Sequence, residues 1–273
     1  MMDSTLINNA KAMKEHFLFH SPAHEQAFID SPTSEIVHTE GAILFVEEGE
    51  PMRQVYFAYE TPEDLRRALG GLAGVASDGE TFKLAVPTND IQSLEYMKKT
   101  LKRAGALFEE TNIGMRNMTM NGKRGIDTSI VERLDGDDSE ELFELIMQTI
   151  GYRRFAMSHE AFNDYLNDSS TLVVGIKDHG HVVAFATAQL NNESTQLFIR
   201  GLGVNAEHLR KGYAKKVLQT MLDTAHAHGM RRAMLWVEET NKQAIKLYES
   251  FGFELNGELE ALFTYKPRMH SSF

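Results

Sequence analysis

The residues best suited to chemistry lie between Ile199 and Leu218, where the chain reads Ile-Arg-Gly-Leu-Gly-Val-Asn-Ala-Glu-His-Leu-Arg-Lys-Gly-Tyr-Ala-Lys-Lys-Val-Leu. The pattern predicts a strand ending at Val204, a short loop, and a helix from Arg210 to His228. Gly212 falls in the first turn of that helix, crowded by Arg210, Lys211 and Lys215. Glycine there admits a ligand to the backbone without meeting a Cβ. The first amides of a helix have no internal partner and point outward. Together these features make an anion site suited to a phosphate or pyrophosphate. Charge-assisted hydrogen bonds are worth about 1.5–3 kcal/mol each, so several converging amides would hold a diphosphate firmly. Neither the Gly-x-x-x-x-Gly-Lys-Ser/Thr nucleotide loop nor the Gly-x-Gly-x-x-Gly dinucleotide fingerprint is present in this segment. Gly201 and Gly203 interrupt the strand leading in. Glycine inside a strand marks a bulge or a close backbone approach. A bulge here would splay the strand from its neighbour and leave ladder groups free for an amide-bearing ligand.

A second informative stretch runs from Trp236 to Glu254 and contains Asn241-Lys-Gln-Ala244-Ile-Lys-Leu247-Tyr248-Glu-Ser-Phe251-Gly252-Phe253. The elements that must position both stretches are legible around them. Helices are predicted from Asp138 through Thr149 and from Ser158 to Leu166. Strands over Leu172–Lys177 and Val182–Leu190 are joined by Asp178-His179-Gly180-His181, a hairpin signal. A strand over Gln196–Val204 follows, then the helix ending before Gly229, whose apolar face holds Ala214, Val217, Leu218, Met221, Leu222 and Ala225. A strand over Ala233–Glu238, a helix over Asn241–Phe251 and two strands within Phe253–Lys266 complete the series.

With both stretches in hand, residues from about 127 to 267 resemble the GNAT superfamily of N-acetyltransferases, which use acetyl-CoA. The family's phosphate motif is Gln/Arg-x-x-Gly-x-Gly/Ala, and here it reads Leu209-Arg210-Lys211-Gly212-Tyr213-Ala214, with Leu209 in the first position. The family's Asn-x-x-Ala-x-x-Leu-Tyr-x-x-x-Gly-Phe motif matches throughout. The resemblance implies an α/β fold with a mixed sheet flanked by helices. It implies that acetyl-CoA lies with its diphosphate on the loop from Leu209 to Lys215. Its pantetheine arm would add like a strand between Leu202-Gly203-Val204 and Val237–Glu239, with Asn241, Ala244 and Leu247 alongside. Tyr248 would sit at the thioester and donate a proton to the leaving thiolate. An amide near Val204 would stabilise the oxyanion. The acceptor amine must be neutral to attack. Some members place a Glu on the strand before the phosphate loop, but that position is near Phe198 here. The base is therefore expected to be a water relay or a carboxylate of Glu238 or Glu239.

Plainer readings of the same residues stay open. Asn241 is suited to capping its helix, Tyr248 falls at core spacing from Ala244 and Phe251, and the cations from Arg210 to Lys216 suit a solvated helix face. His16, His20 and His24 lie four apart, but Pro22 breaks the helix between them, so no metal site is expected.

Composition narrows the field. The 273 residues include no cysteine, which excludes a disulfide scaffold, a thiolate nucleophile and a Cys-ligated metal. With 28 basic and 39 acidic residues the formal charge is −11, a surface that disfavours nucleic acid or an anionic membrane as main partner. No secretory signal and no 18-residue apolar run is seen, so a soluble, cytoplasmic protein is expected. The first half is predicted to alternate: a helix over Asp3–His20, strands over Gly41–Val46 and Gln54–Tyr59, and a helix capped by Thr61 with Pro62 at its first position. A strand over Phe82–Val86, a helix over Asp90–Arg103 and two short strands within Ala106–Met120 follow. The polar run Gly122-Lys-Arg-Gly125 suggests a boundary. It divides a divergent α/β domain over 1–125, which reads either as a degenerate GNAT-like half or as ordinary α/β packing, from the acetyltransferase domain over 126–273. The expected function is acetyl transfer from acetyl-CoA to a primary amine of a small molecule or peptide. A non-catalytic acyl-CoA sensor of the same fold is the alternative, and a transferase fed by charged tRNA is a third class that the charge disfavours.

Overall fold

The computed structural model describes residues 4–18, 22–49, 52–120, 122–123, 125–151 and 157–268. In chain order its elements begin α1 (Ser4–Ala12), β1 (Glu15–Phe17), α2 (Pro22–Asp30), β2 (Glu35–Thr39), β3 (Ala42–Glu47), β4 (Gln54–Tyr59) and α3 (Pro62–Gly71). They continue β5 (Phe82–Thr88), α4 (Ile91–Arg103), β6 (Leu107–Asn117), β7 (Glu132–Arg133), α5 (Ser139–Thr149), α6 (His159–Asn167) and β8 (Thr171–Asp178). The last are β9 (His181–Asn191), β10 (Gln196–Val204), α7 (Tyr213–Ala227), β11 (Arg232–Glu238), α8 (Lys242–Glu249) and β12 (Glu254–Tyr265). The architecture is mixed α/β, as expected. The chain divides into two compact units, one of residues 1–112 with 258–273 and one of residues 113–257. The boundary read near residue 125 falls inside the second unit, and the final residues belong to the first.

In the first unit, β2, β3 and β4 are antiparallel neighbours, β5 is parallel to β4, and β12 pairs antiparallel with β5 over Leu259–Tyr265. Residues Ala42 to Val46 of β3 are all buried because helices cover both faces, which removes the usual alternation. One face packs Leu44, Phe57, Leu65, Leu69, Leu94 and Leu101. The other packs Ile7, Phe28, Ile43, Phe45 and Ala58. Thr61 caps α3 as expected, and Asp64 answers it in a reciprocal capping box. Asp90 caps α4.

Several expectations are corrected. The helix over Asp3–His20 ends at Ala12, because Glu15–Phe17 turn into a strand on β4 with the Phe17 ring 5.1 Å from Phe57. The stretch's three-and-four spacing fits a helix face, but edge pairing prevails; His20 and Ser21 lie outside the described residues. Pro22 opens α2, the role proline takes at a first helical position. The periodicity gave no sign of α2 or β2. Single strands replace the paired short ones expected over Ala106–Met120 and Phe253–Lys266. Gly114 does not break β6, because the Asn256 side chain packs where a Cβ would stand. The chain runs through Gly257 at φ +84°.

In the second unit the sheet order is β7-β8-β9-β10-β11, antiparallel except for the parallel β10–β11 pair joined over α7. The β8–β9 turn has His179 at φ 53° and Gly180 at φ 86°, the two positive angles of a tight two-residue hairpin loop. Val217, Leu218, Met221 and Leu222 of α7 pack on one face with Phe251 and Phe253. Leu142, Ile146 and Phe162 of α5 and α6 pack with Val173 and Phe185 on the other.

Candidate functional site

The site begins where β10 and β11 part. Their parallel register holds from Gln196 with Arg232 to Ile199 with Leu235 and goes no further, although both strands continue. Opposite, the β10–β9 register shifts between Ile199 and Gly201, with Arg200 the extra residue. A bulge adds twist and turns a strand from its neighbour. The inner edges of Leu202–Val204 and Val237–Glu238 are thereby left without each other, and extended backbone in that state needs other partners. The glycines serve packing beneath the strand. A Cβ on Gly201 would stand 2.6 Å from Ile150 Cδ1, and one on Gly203 would stand 2.5 Å from Thr149 Oγ1 and 2.6 Å from Phe185.

The loop after β10 is built locally. The Asn205 side chain accepts from Glu207 N at 2.9 Å and starts a turn over Ala206–His208. His208 Nε2 meets Asp178 Oδ2 at 2.9 Å, and its ring stacks on Tyr213 at 6.1 Å. This contact holds the Asp178 carboxyl below its usual range, with Lys211 adding to the effect. Arg210 at φ 64° and Gly212 at φ 80° are left-handed. The helix expected from Arg210 therefore starts only at Tyr213, and Gly212 precedes the first turn instead of lying within it. Among the described residues, no protein acceptor meets the amides of Arg210 to Ala214; the next amides, of Lys215 and Lys216, bond back to Gly212 O. Apart from its two chain neighbours, no residue comes within 4 Å of where a Gly212 Cβ would be, so the space above the glycine is open. Five uncommitted amides beside Arg210 and Lys215 form an electropositive cradle of the kind a diphosphate fills.

This cradle and the β10 side of the slot share one cavity of about 1020 Å³. Its walls include Leu202, Gly203, Val204, Leu209, Arg210, Gly212, Tyr213, Ala214, Lys215, Asn241, Ala244 and Leu247, all singled out from sequence. Lys211 is not a wall residue; its ammonium lies 5.9 Å from the Tyr213 ring centroid. Sequence reasoning missed Gln148 and Thr149 from the last turn of α5, Asn205 to His208, and Gln243, Lys246 and Ser250. Continuity between β10 and Leu209 could have flagged Asn205 to His208. Nothing local marks Gln148 or Thr149.

Asn241 caps α8, its side-chain oxygen accepting from Ala244 N at 3.0 Å, which leaves its amide NH₂ for a ligand. Tyr248 and Glu238 are not wall residues. Tyr248 is 7% exposed, with its ring 5.6 Å from Phe253, and burial pushes its phenol up to about 12. Glu238, the last residue of β11, accepts from Thr240 Oγ1. A second cavity, of about 810 Å³, lies in the first unit and includes Arg53. That guanidinium is already held by Glu80 at 2.7 Å and Glu35 at 2.5 Å, so it offers no free charge to an anion.

The family model for acetyltransferases (GNAT) matches residues 139–253, a span that contains the slot, the cradle and α8. Over 94 residues the chain is 31% identical to the spermine/spermidine N(1)-acetyltransferase of Bacillus subtilis (strain 168), covering 32% of this chain and 62% of that protein's length. Over 126 residues it is 28% identical to the ribosomal protein bS18-alanine N-acetyltransferase of Haemophilus ducreyi, covering 45% of this chain and 81% of that one. In fold, it superposes on the GCN5-related N-acetyltransferase from Kribbella flavida with a TM-score of 0.59 at 14% identity, over 99% of this chain and 98% of the other. The splayed parallel strand pair and the amide cradle ahead of α7 both lie within residues 139–253, the segment that matches the GNAT acetyltransferase family model.

Proposed function

We propose that the second unit binds acetyl-CoA in this cavity and passes the acetyl group to a primary amine of a small molecule or peptide. The observation that carries the reading is the run of five uncommitted amides from Arg210 to Ala214 at one end of a slot opened between β10 and β11. The amides and the side chains of Arg210 and Lys215 hold the diphosphate. The free edges of Leu202–Val204 and Val237–Glu238 pair with the amides of the pantetheine arm, and Asn241 donates its NH₂ to it. The thioester supplies an activated acetyl carbon. The amine nitrogen bonds to that carbon, the carbon–sulfur bond breaks, and the electron pair leaves on sulfur. An amide near Val204 donates to the developing oxyanion. One proton leaves the attacking nitrogen, for which Glu238 and Glu239 or a water they orient are the available bases. Tyr248 donates a hydrogen bond to the departing thiolate through its buried, protonated phenol.

The two named relatives act on amines of different size, so the acceptor panel should include spermine and an alanine-ended peptide. Incubation with acetyl-CoA and such a panel should release free coenzyme A thiol, and acetyl-CoA should raise the melting temperature where ATP and NAD do not. Stabilisation by all three alike would defeat the reading. Phe198 in place of a strand carboxylate favours the sensor alternative; calorimetric binding with no turnover on any amine would select it.

A further inference from the structure

The first unit repeats the succession that builds the site of the second. β2, β3 and β4 run antiparallel, α3 follows, and β5 returns parallel to β4, as α7 and β11 follow β8, β9 and β10. The repeat extends to the splay. β4 and β5 are in register only at Gln54 with Lys83 and Val55 with Leu84, and then part although both strands continue.

What fills the opening differs. β3 pairs with β4 along its whole length, from Gln54 to Tyr59, so one edge of β4 is taken. β1 pairs antiparallel with the same strand, with Glu15 opposite Tyr59, His16 opposite Ala58 and Phe17 opposite Phe57. A strand has two edges, so β1 must lie on the edge facing β5, inside the opening, and it also approaches β5. The chain's own residues 15–17 occupy the place that the second unit leaves to a ligand's extended arm.

The phosphate end is closed as well. α3 has no glycine ahead of it, and Pro62 brings no N–H. Asp64 N donates to Thr61 Oγ1 at 3.3 Å, Thr61 N donates to Asp64 Oδ2 at 3.1 Å, and Leu65 N bonds back to Thr61 O. Glu63 and Asp64 put two carboxylates in that first turn, where α7 is preceded by Arg210 and Lys211. Gly41 leaves just the room the Asp64 carboxyl needs: a Cβ there would stand 2.7 Å from it.

We propose that residues 15–17 and the Thr61–Asp64 box are built-in occupants of a slot equivalent to the coenzyme slot, so that the first unit takes no coenzyme A and the chain binds one molecule. The count of one rests on the proposed coenzyme site; the filling of the first slot does not. Two measurements on the full chain separate them. Calorimetric titration with coenzyme A should give one site per chain, lost in Gly212→Val. Two sites overturn the inference, whereas no binding at all, or a single site whose affinity Gly212→Val leaves unaltered, overturns the coenzyme reading of the second unit. Amide hydrogen exchange without any ligand tests the filling directly. Residues 15–17 should exchange more than about tenfold slower than unprotected chain, as a paired strand does. Exchange at the unprotected rate overturns the closure whatever the titration shows.

Discussion

Replacing Tyr248 by Phe removes one hydroxyl and leaves the ring where it packs, 5.6 Å from Phe253 in a position 7% exposed. Fold and coenzyme binding should therefore survive, and a loss of rate reports on the hydroxyl. Burial raises this phenol to about 12, while a thiol is ordinarily near 8.5. Full transfer of the phenolic proton to a thiolate is then uphill by about 5 kcal/mol at 1.36 kcal/mol per pKa unit. A charge-assisted hydrogen bond to the forming thiolate is instead worth about 1.5–3 kcal/mol, a factor of about 10 to 150 in rate. With saturating acetyl-CoA and an accepted amine, thiol release by Tyr248→Phe should fall within that range. Complete proton donation would cost about 10²–10⁴. An unchanged kcat would remove Tyr248 from the mechanism. The same shift predicts a stability effect. The folded phenol titrates near 12 and the unfolded one near 10, so its contribution is present below pH 10 and is lost as pH rises toward 12, by about 3 kcal/mol. Tyr248→Phe has no such group and should lose that much less stability over the window. Equal alkaline unfolding of both proteins would refute the burial argument.

Gly212→Val forces a branched side chain into φ 80° at the head of the cradle, and coenzyme affinity by calorimetry should drop at least about tenfold; unaltered affinity would count against the loop. Gly203→Val drives a side chain into Thr149 and Phe185, and should lower stability by about 1–3 kcal/mol in denaturant titration. Asp178→Asn weakens the tie that holds His208 and the loop, so KM for acetyl-CoA should rise severalfold with kcat unchanged. Thr61→Ala breaks the α3 capping box and should cost about 0.5–2 kcal/mol without affecting coenzyme affinity, because the box lies in the first unit.

Where a feature is made by neighbours in the chain, reading the residues found it. Thr61 before Pro62, the tight turn at His179-Gly180 and the cradle around Gly212 are all settled within a few residues, by caps, turn angles and unpaired first amides. Where distant residues decide, the same reading fell short. The three-and-four spacing from Leu6 to Phe17 fits a helix face equally well until β4 offers an edge to Glu15–Phe17. The stretches Ala106–Met120 and Phe253–Lys266 each read as two short strands, yet one strand runs through each, and at Gly114 the Asn256 side chain takes the room of the missing side chain.

Sequence alone determined the donors of the site: the order Leu209 to Lys215, the glycine that permits a left-handed turn, and the Asn241-to-Tyr248 spacing on one helix. Their geometry is short-range, so local preferences suffice. Tertiary structure decided which of those donors remain available. Pairing that stops at Ile199, a helix end at Thr149 pressing under Gly203, and β1 seated on β4 are contacts between segments far apart in the chain. An amide or strand edge becomes a binding group only when no other part of the chain reaches it first, and that is settled by packing.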